Sequence, residues 1–156
     1  MLPLALTFYD VVLTVHILAV VVAFGVAFAI PVIDAQVRRA SPGDIAALHR
    51  LHLALGRQLI TPAMTVVLLA GLYLALDRWS LGDPWISATF AILFVLFAIQ
   101  GAVLTPADAR LAERAEHGGA GSPEYERDSR VADMFGGLAL LLVVVAIFLM
   151  VAKPGA

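Results

Sequence analysis

The 156-residue chain contains no cysteine. That excludes disulfides, thiol catalysis, iron–sulfur clusters and thiolate metal sites. Charge is scarce as well: Asp, Glu, Lys and Arg make up 14% of the residues, where an ordinary globular chain has about 25%. No Lys or Arg precedes Arg38. The positive stretch that opens a cleavable signal peptide is therefore missing, and the first apolar segment is expected to stay in the mature protein. The formal net charge of −2 offers no basic surface for nucleic acid.

What fills the space is apolar. Hydrophobic residues reach 62%, more than a soluble core of this length can hide. The few charges cluster and leave four charge-free stretches, Val11–Ile33, Gln58–Leu76, Pro84–Ala107 and Met134–Ala152, of 23, 19, 24 and 19 residues. At about 1.5 Å per residue each can cross a hydrocarbon core of roughly 30 Å. None shows the alternation of a membrane β-strand. The fold expected is all-α: one integral membrane domain over residues 1–156, a four-transmembrane-helix up-down bundle without strands. Its helices are placed at 8–33, 43–76, 84–117 and 123–152, in hairpins 1–76 and 84–156.

Eight of the ten Lys and Arg residues fall in two connections. Arg38, Arg39, Arg50 and Arg57 follow the first span, and Arg110, Arg114, Arg127 and Arg130 follow the third. By the positive-inside rule the loops 34–57 and 105–133 are cytoplasmic and both termini lie outside, in a bacterial inner membrane. Trp79, Trp85, Tyr9 and Tyr73 should then gather at the outer interface as part of an aromatic belt. Ser41-Pro42-Gly43-Asp44 and Ser122-Pro123-Glu124 read as helix starts, with a Ser cap, Pro in the first turn and an early acid. Gly118-Gly119 reads as a stop. Pro62 should disturb the second span near its start. Ala19, Ala23 and Ala27 on the first span, and Ala91, Ala98, Gly101 and Ala102 on the third, are the expected close-packing stripes. Pro31-Val32-Ile33-Asp34 echoes Pro106-Ala107-Asp108; a parallel duplication leaves such a trace, and so does the common grammar of helix ends.

The polar candidates are few. His16 is the one ionisable residue well inside a span, and such a residue is a functional candidate by default. Neutral imidazole can ligate haem iron or copper or relay protons; a histidine bonded across the bundle for packing alone is the plainer account. Gln100 should make an interhelical hydrogen bond. His49 and His52, three apart on one helix face, have the spacing of a metal pair. With no third ligand evident, they are expected to be solvated on an arginine-rich face. His117 should cap a helix C-terminus.

Ile60-Thr61-Pro62-Ala63-Met64, then Gly71-Leu72-Tyr73-Leu74, with His16 in the first span and Ala152-Lys153-Pro154 closing the fourth, resembles a group of small bacterial membrane proteins. The nearest likeness is an uncharacterised family (a domain of unknown function) of four-helix integral membrane proteins. It lies beside the HemJ-type protoporphyrinogen oxidases and, more loosely, CopD-like membrane domains. The resemblance implies a haem b pocket with His16 as the cofactor- and metal-binding residue. HemJ-type proteins carry Trp-Leu-His-x-Lys and a later histidine in the third span. Here Trp85-Ile86-Ser87-Ala88-Thr89 and Gln100 stand there. The resemblance thus carries the fold and a pocket, and not the oxidase reaction. Two functions follow: haem-associated redox chemistry or haem handling, or a cofactor-free transport or accessory subunit. The expected partners are the lipid bilayer and a second copy or larger membrane complex, with no nucleic acid.

Overall fold

A computed structural model describes residues 7–40 and 44–155. Its four long helices are α1 (Phe8–Ala40), α2 (Ile45–Arg78), α3 (Pro84–Glu116) and α4 (Pro123–Ala152). There is no strand among the described residues. All four are long and apolar enough to cross a membrane. The Ser41-Pro42-Gly43 start lies outside the described residues.

The later helix ends follow their local chemistry. Ser122 Oγ accepts a hydrogen bond from the Tyr125 N–H at 3.2 Å, with Pro123 in the first turn. At the end of α3, Gly118 takes φ +76°, and the Gly119 N–H reaches back to the Arg114 carbonyl at 2.8 Å. This closure needs a residue tolerant of positive φ. His117 Nδ1 lies 2.8 Å from the Glu113 carbonyl and occupies the expected C-terminal position.

The first helix runs further than its charge-free stretch. It continues through Pro31 and Asp34 to Ala40, not to residue 33. A charge ends a membrane span and not a helix, and Ala35-Gln36-Val37-Arg38 contains mostly good helix formers. Asp34 therefore sits on a rigid element.

Two helices widen into π turns, α2 over Gly56–Ile60 and α3 over Ile99–Leu104. Each runs directly into a Thr-Pro pair, Thr61-Pro62 and Thr105-Pro106. Proline cannot donate to the carbonyl four residues back and its ring crowds that carbonyl. Those carbonyls belong to Gln58 and Ala102, inside the widened turns. The disturbance expected at Pro62 is thus present, and Pro106 has a second one.

In the bundle α1 packs along α2 and α3 along α4, while the first turns of α2 lie against the last turns of α3. The core is made by Ala19 and Ala23 of α1, Ile60, Met64 and Val67 of α2, Leu93 and Leu96 of α3, and Val143 of α4. The α1 stripe packs as expected at Ala19 and Ala23. The α3 stripe does not: Ala91, Ala98, Gly101 and Ala102 are exposed, and the inward face is Leu93, Leu96 and Ile99. A helix apolar all round gives no pattern from which its facing can be read.

Both described termini and the short 79–83 connection lie at one end, here the terminal end; the arginine-rich connections lie at the loop end. Trp79 and Trp85 stack edge to face at the terminal end, centroids 5.2 Å apart. Arg78 sits over the Tyr9 ring at 3.9 Å and Lys153 over the Trp79 ring at 4.3 Å.

Candidate functional site

The bundle holds a polar site in each half. The terminal half contains His16, 6% exposed, carried by the same face of α1 as Ala19 and Ala23. Its imidazole lies over Gly71 of α2: a Cβ built on Gly71 would stand 3.1 Å from His16 Cε1 and 3.5 Å from Nδ1. Glycine at this position is what lets the ring lie against the α2 backbone. The Val67 backbone also lies beside the imidazole, yet Nδ1 has no hydrogen-bond partner. A cavity of about 320 Å³ opens beside the ring, within the size range of small-molecule pockets. Its walls are mostly apolar and aromatic, among them Leu13, Phe24, Trp85, Phe90 and Leu93, with Lys153 at its edge. Trp85 Nε1 is buried and also without a hydrogen-bond partner. The Gly71 cradle is thus filled by the His16 ring, and the cavity lies beside it.

The loop half is different, and it corrects the reading of His49 and His52. Neither is solvated: they are 3% and 9% exposed. The extended α1 brings Asp34 to His52, with Asp34 Oδ1 2.8 Å from His52 Nε2. The last turns of α3 bring Asp108 between the two rings, with Oδ1 3.3 Å from His49 Nδ1 and 3.5 Å from His52 Nδ1. From α4, the Tyr125 hydroxyl reaches His49 Nε2 at 2.9 Å. Every helix contributes a side chain. Asp34 and Asp108, the aspartates of the two echoing proline segments, converge on one histidine. The third side chain of the group, which the sequence did not reveal, is Asp108, 59 positions away from His49.

A signal was available. Asp34 and Asp108 are each the first charge after a charge-free stretch that enters the loop end. They had to lie at the same depth, close to the start of α2, where His49 and His52 present one face. A second cavity, about 490 Å³, is lined by Asp34, His49, His52 and Asp108. Gln100 borders it too, but its hydrogen bonding stays within its own helix: Nε2 donates to Thr105 Oγ1 at 3.5 Å, and Thr105 Oγ1 donates to the Gln100 carbonyl at 2.8 Å. Instead of the expected interhelical bond, Gln100 leans over Gly56, where an added Cβ would come within 2.7 Å of its Nε2. In the π turn the Gln100 carbonyl accepts the Thr105 backbone N–H, five residues on, and the Thr105 hydroxyl as well.

Outside this cluster are further ion pairs. Arg110 and Arg114 meet Asp128 at 3.4 and 3.5 Å, and Arg50 meets Glu116.

No curated protein and no solved structure matches the chain. Residues 10–154, all four helices, match the family model described as "Predicted integral membrane protein (DUF2269)". The chain belongs to that family of integral membrane proteins.

Proposed function

We propose that the protein is a haem-associated membrane protein of redox chemistry or haem handling, with His16 as the axial ligand. One observation carries this reading: a buried imidazole lines a mostly apolar cavity of about 320 Å³. Neutral imidazole can ligate haem iron, and apolar walls suit a porphyrin. Bound haem b would supply one-electron chemistry. The chain's own part is to hold and orient the imidazole against Gly71, to exclude water with apolar walls, and to place a cation at the edge of the cavity. Lys153 sits over the Trp79 ring there and suits a carboxylate of an amphipathic ligand. The likeness to HemJ-type proteins at His16 agrees with this reading. Their oxidation of protoporphyrinogen is not proposed, because the third-span lysine and histidines have no counterpart.

The test is the Soret band of detergent-purified protein produced with ample haem. A band in the wild type and none in a folded His16→Leu variant supports the reading. Colourless wild-type protein overturns it and leaves His16 as a packing residue beside Val67. The second reading then stands first: a cofactor-free transport or accessory subunit. Its support is that Phe24 and Leu96 line both cavities, so that the two recesses adjoin at apolar side chains.

The orientation proposed is both termini outside a bacterial inner membrane, from the eight-to-two split of Lys and Arg. Cysteines placed at Ser80 and Ser122 check it. An impermeant thiol reagent on whole cells should label position 80 and spare position 122.

A further inference from the structure

We propose that His49, His52 and Asp108 form a binding site for a divalent first-row transition-metal ion of the zinc class, supported by Asp34 and Tyr125. The proposal is independent of the haem reading, since His16 lines the other cavity.

Three observations converge. The first is spacing. Each residue offers one ligand atom, and the three atoms lie within 4.8 Å of one another. Asp108 Oδ1 is 3.3 Å from His49 Nδ1 and 3.5 Å from His52 Nδ1. Bonds of about 2.1 Å at tetrahedral angles put ligand atoms about 3.4 Å apart, so an ion fits between them with little movement.

The second is how the rings are held. Both imidazoles turn Nδ1 to the same carboxylate oxygen and Nε2 away from it. His49 Nε2 meets the Tyr125 hydroxyl at 2.9 Å, and His52 Nε2 lies 2.8 Å from Asp34 Oδ1. Metal-bound histidines usually give their second nitrogen to such an outer partner, which fixes tautomer and ring orientation. His52 Nε2 and Asp34 Oδ1 are both buried, and their contact lacks the direction of a hydrogen bond. An ion at Nδ1 would set the ring angle that makes the bond.

The third is charge. Metal ligation takes both imidazoles in the neutral form, and the two carboxylates then total −2, which a divalent cation cancels. Arg110, Arg114 and Arg50 do not, since their carboxylate partners are Asp128 and Glu116. Nitrogen and oxygen donors without thiolate favour Zn²⁺, Fe²⁺ or Mn²⁺ over Cu⁺. Three protein ligands bordering the 490 Å³ cavity leave a fourth position for water or another small ligand.

The experiment titrates Co²⁺, and separately Zn²⁺, into full-length, chelator-stripped protein in detergent. Expected are one ion per chain, the visible ligand-field bands of tetrahedral Co²⁺, and a rise in thermal midpoint with Zn²⁺, because the ion joins residues from α2 and α3 and is braced from α1 and α4. Asp34→Asn should weaken binding about 10–100-fold while keeping the stoichiometry. His52→Ala should abolish the tetrahedral bands. His16→Leu should bind the ion like the wild type, which separates this site from any loss of haem. Wild-type protein that binds neither ion overturns the proposal and leaves a metal-free ion-pair network. Tetrahedral bands that survive in a His49→Ala/His52→Ala variant overturn it as well. If His52→Ala does not fold, the wild-type titration and Asp34→Asn still decide.

Discussion

The terminal and loop halves of this bundle bury polar groups in opposite ways. Near the terminal end one histidine is buried beside a Gly71 cradle, its Nδ1 unpartnered. Near the loop end two histidines are buried among two aspartates and a tyrosine drawn from every helix. Burial makes polar groups expensive in either place, and the expense is met differently. The lone imidazole is a single polar ring among mostly apolar walls. A cluster of histidines and carboxylates sets its polar atoms against one another, so it ties the helix ends together and fails as a unit.

The largest effect should come from breaking the cluster. Asp108→Ala removes the carboxylate shared by both rings and leaves two buried imidazoles without it. Breaking a buried pair in this way costs about 3 kcal/mol. Measured by unfolding in detergent with metal chelated away, a loss under about 1 kcal/mol would show that the cluster does not hold the helix ends.

His16→Leu should act in the opposite direction. It replaces an incompletely satisfied buried imidazole by an apolar side chain of similar size. The haem-free bundle should gain about 1 kcal/mol while the Soret band is lost. A destabilised apo protein would mean that the Val67 contact is a structural bond, and the contrast between the two halves would shrink.

Gly71→Ala sharpens the comparison. The new Cβ would stand 3.1 Å from the His16 ring, so the ring must shift by a few tenths of an ångström. Helix propensity favours alanine by up to about 1 kcal/mol, and the crowding offsets part of it. Stability should change by less than about 1 kcal/mol while haem occupancy falls. Gly25→Ala, with nothing within 4 Å, is the control: it should leave the Soret band unchanged.

The smallest effect belongs to the exposed pair at the loop end. Arg50 and Glu116 are 56% and 44% exposed, and Arg50→Ala should cost under about 0.5 kcal/mol in the same unfolding assay. A larger loss would make the surface pairs part of the buried network.

The unequal legibility of the two halves has a physical origin. His16 stands alone in 23 uncharged residues, and a lone ionisable group in a span is visible in one dimension. His49 and His52 sit among arginines, and nothing local distinguishes a solvated pair from a buried one. Their burial depends on Asp34 arriving on an α1 longer than its span and on Asp108 arriving from α3. Gln100 was misassigned for a related reason: the π turn before Thr105-Pro106 brings the Thr105 hydroxyl within reach of the Gln100 side chain and carbonyl.

By itself the sequence determined four membrane spans, the cap at Ser122, the stop at Gly118 and the lone histidine of the first span. These are local quantities: transfer of a stretch of residues into hydrocarbon adds up along the chain, and a cap needs only its neighbours. Only the tertiary structure decided which face of α3 packs, where the cavities lie and that four helices meet at His49 and His52. Those outcomes depend on how each helix is rotated and offset against the others. A helix apolar on every side carries no stripe that encodes its rotation, so packing alone selects it.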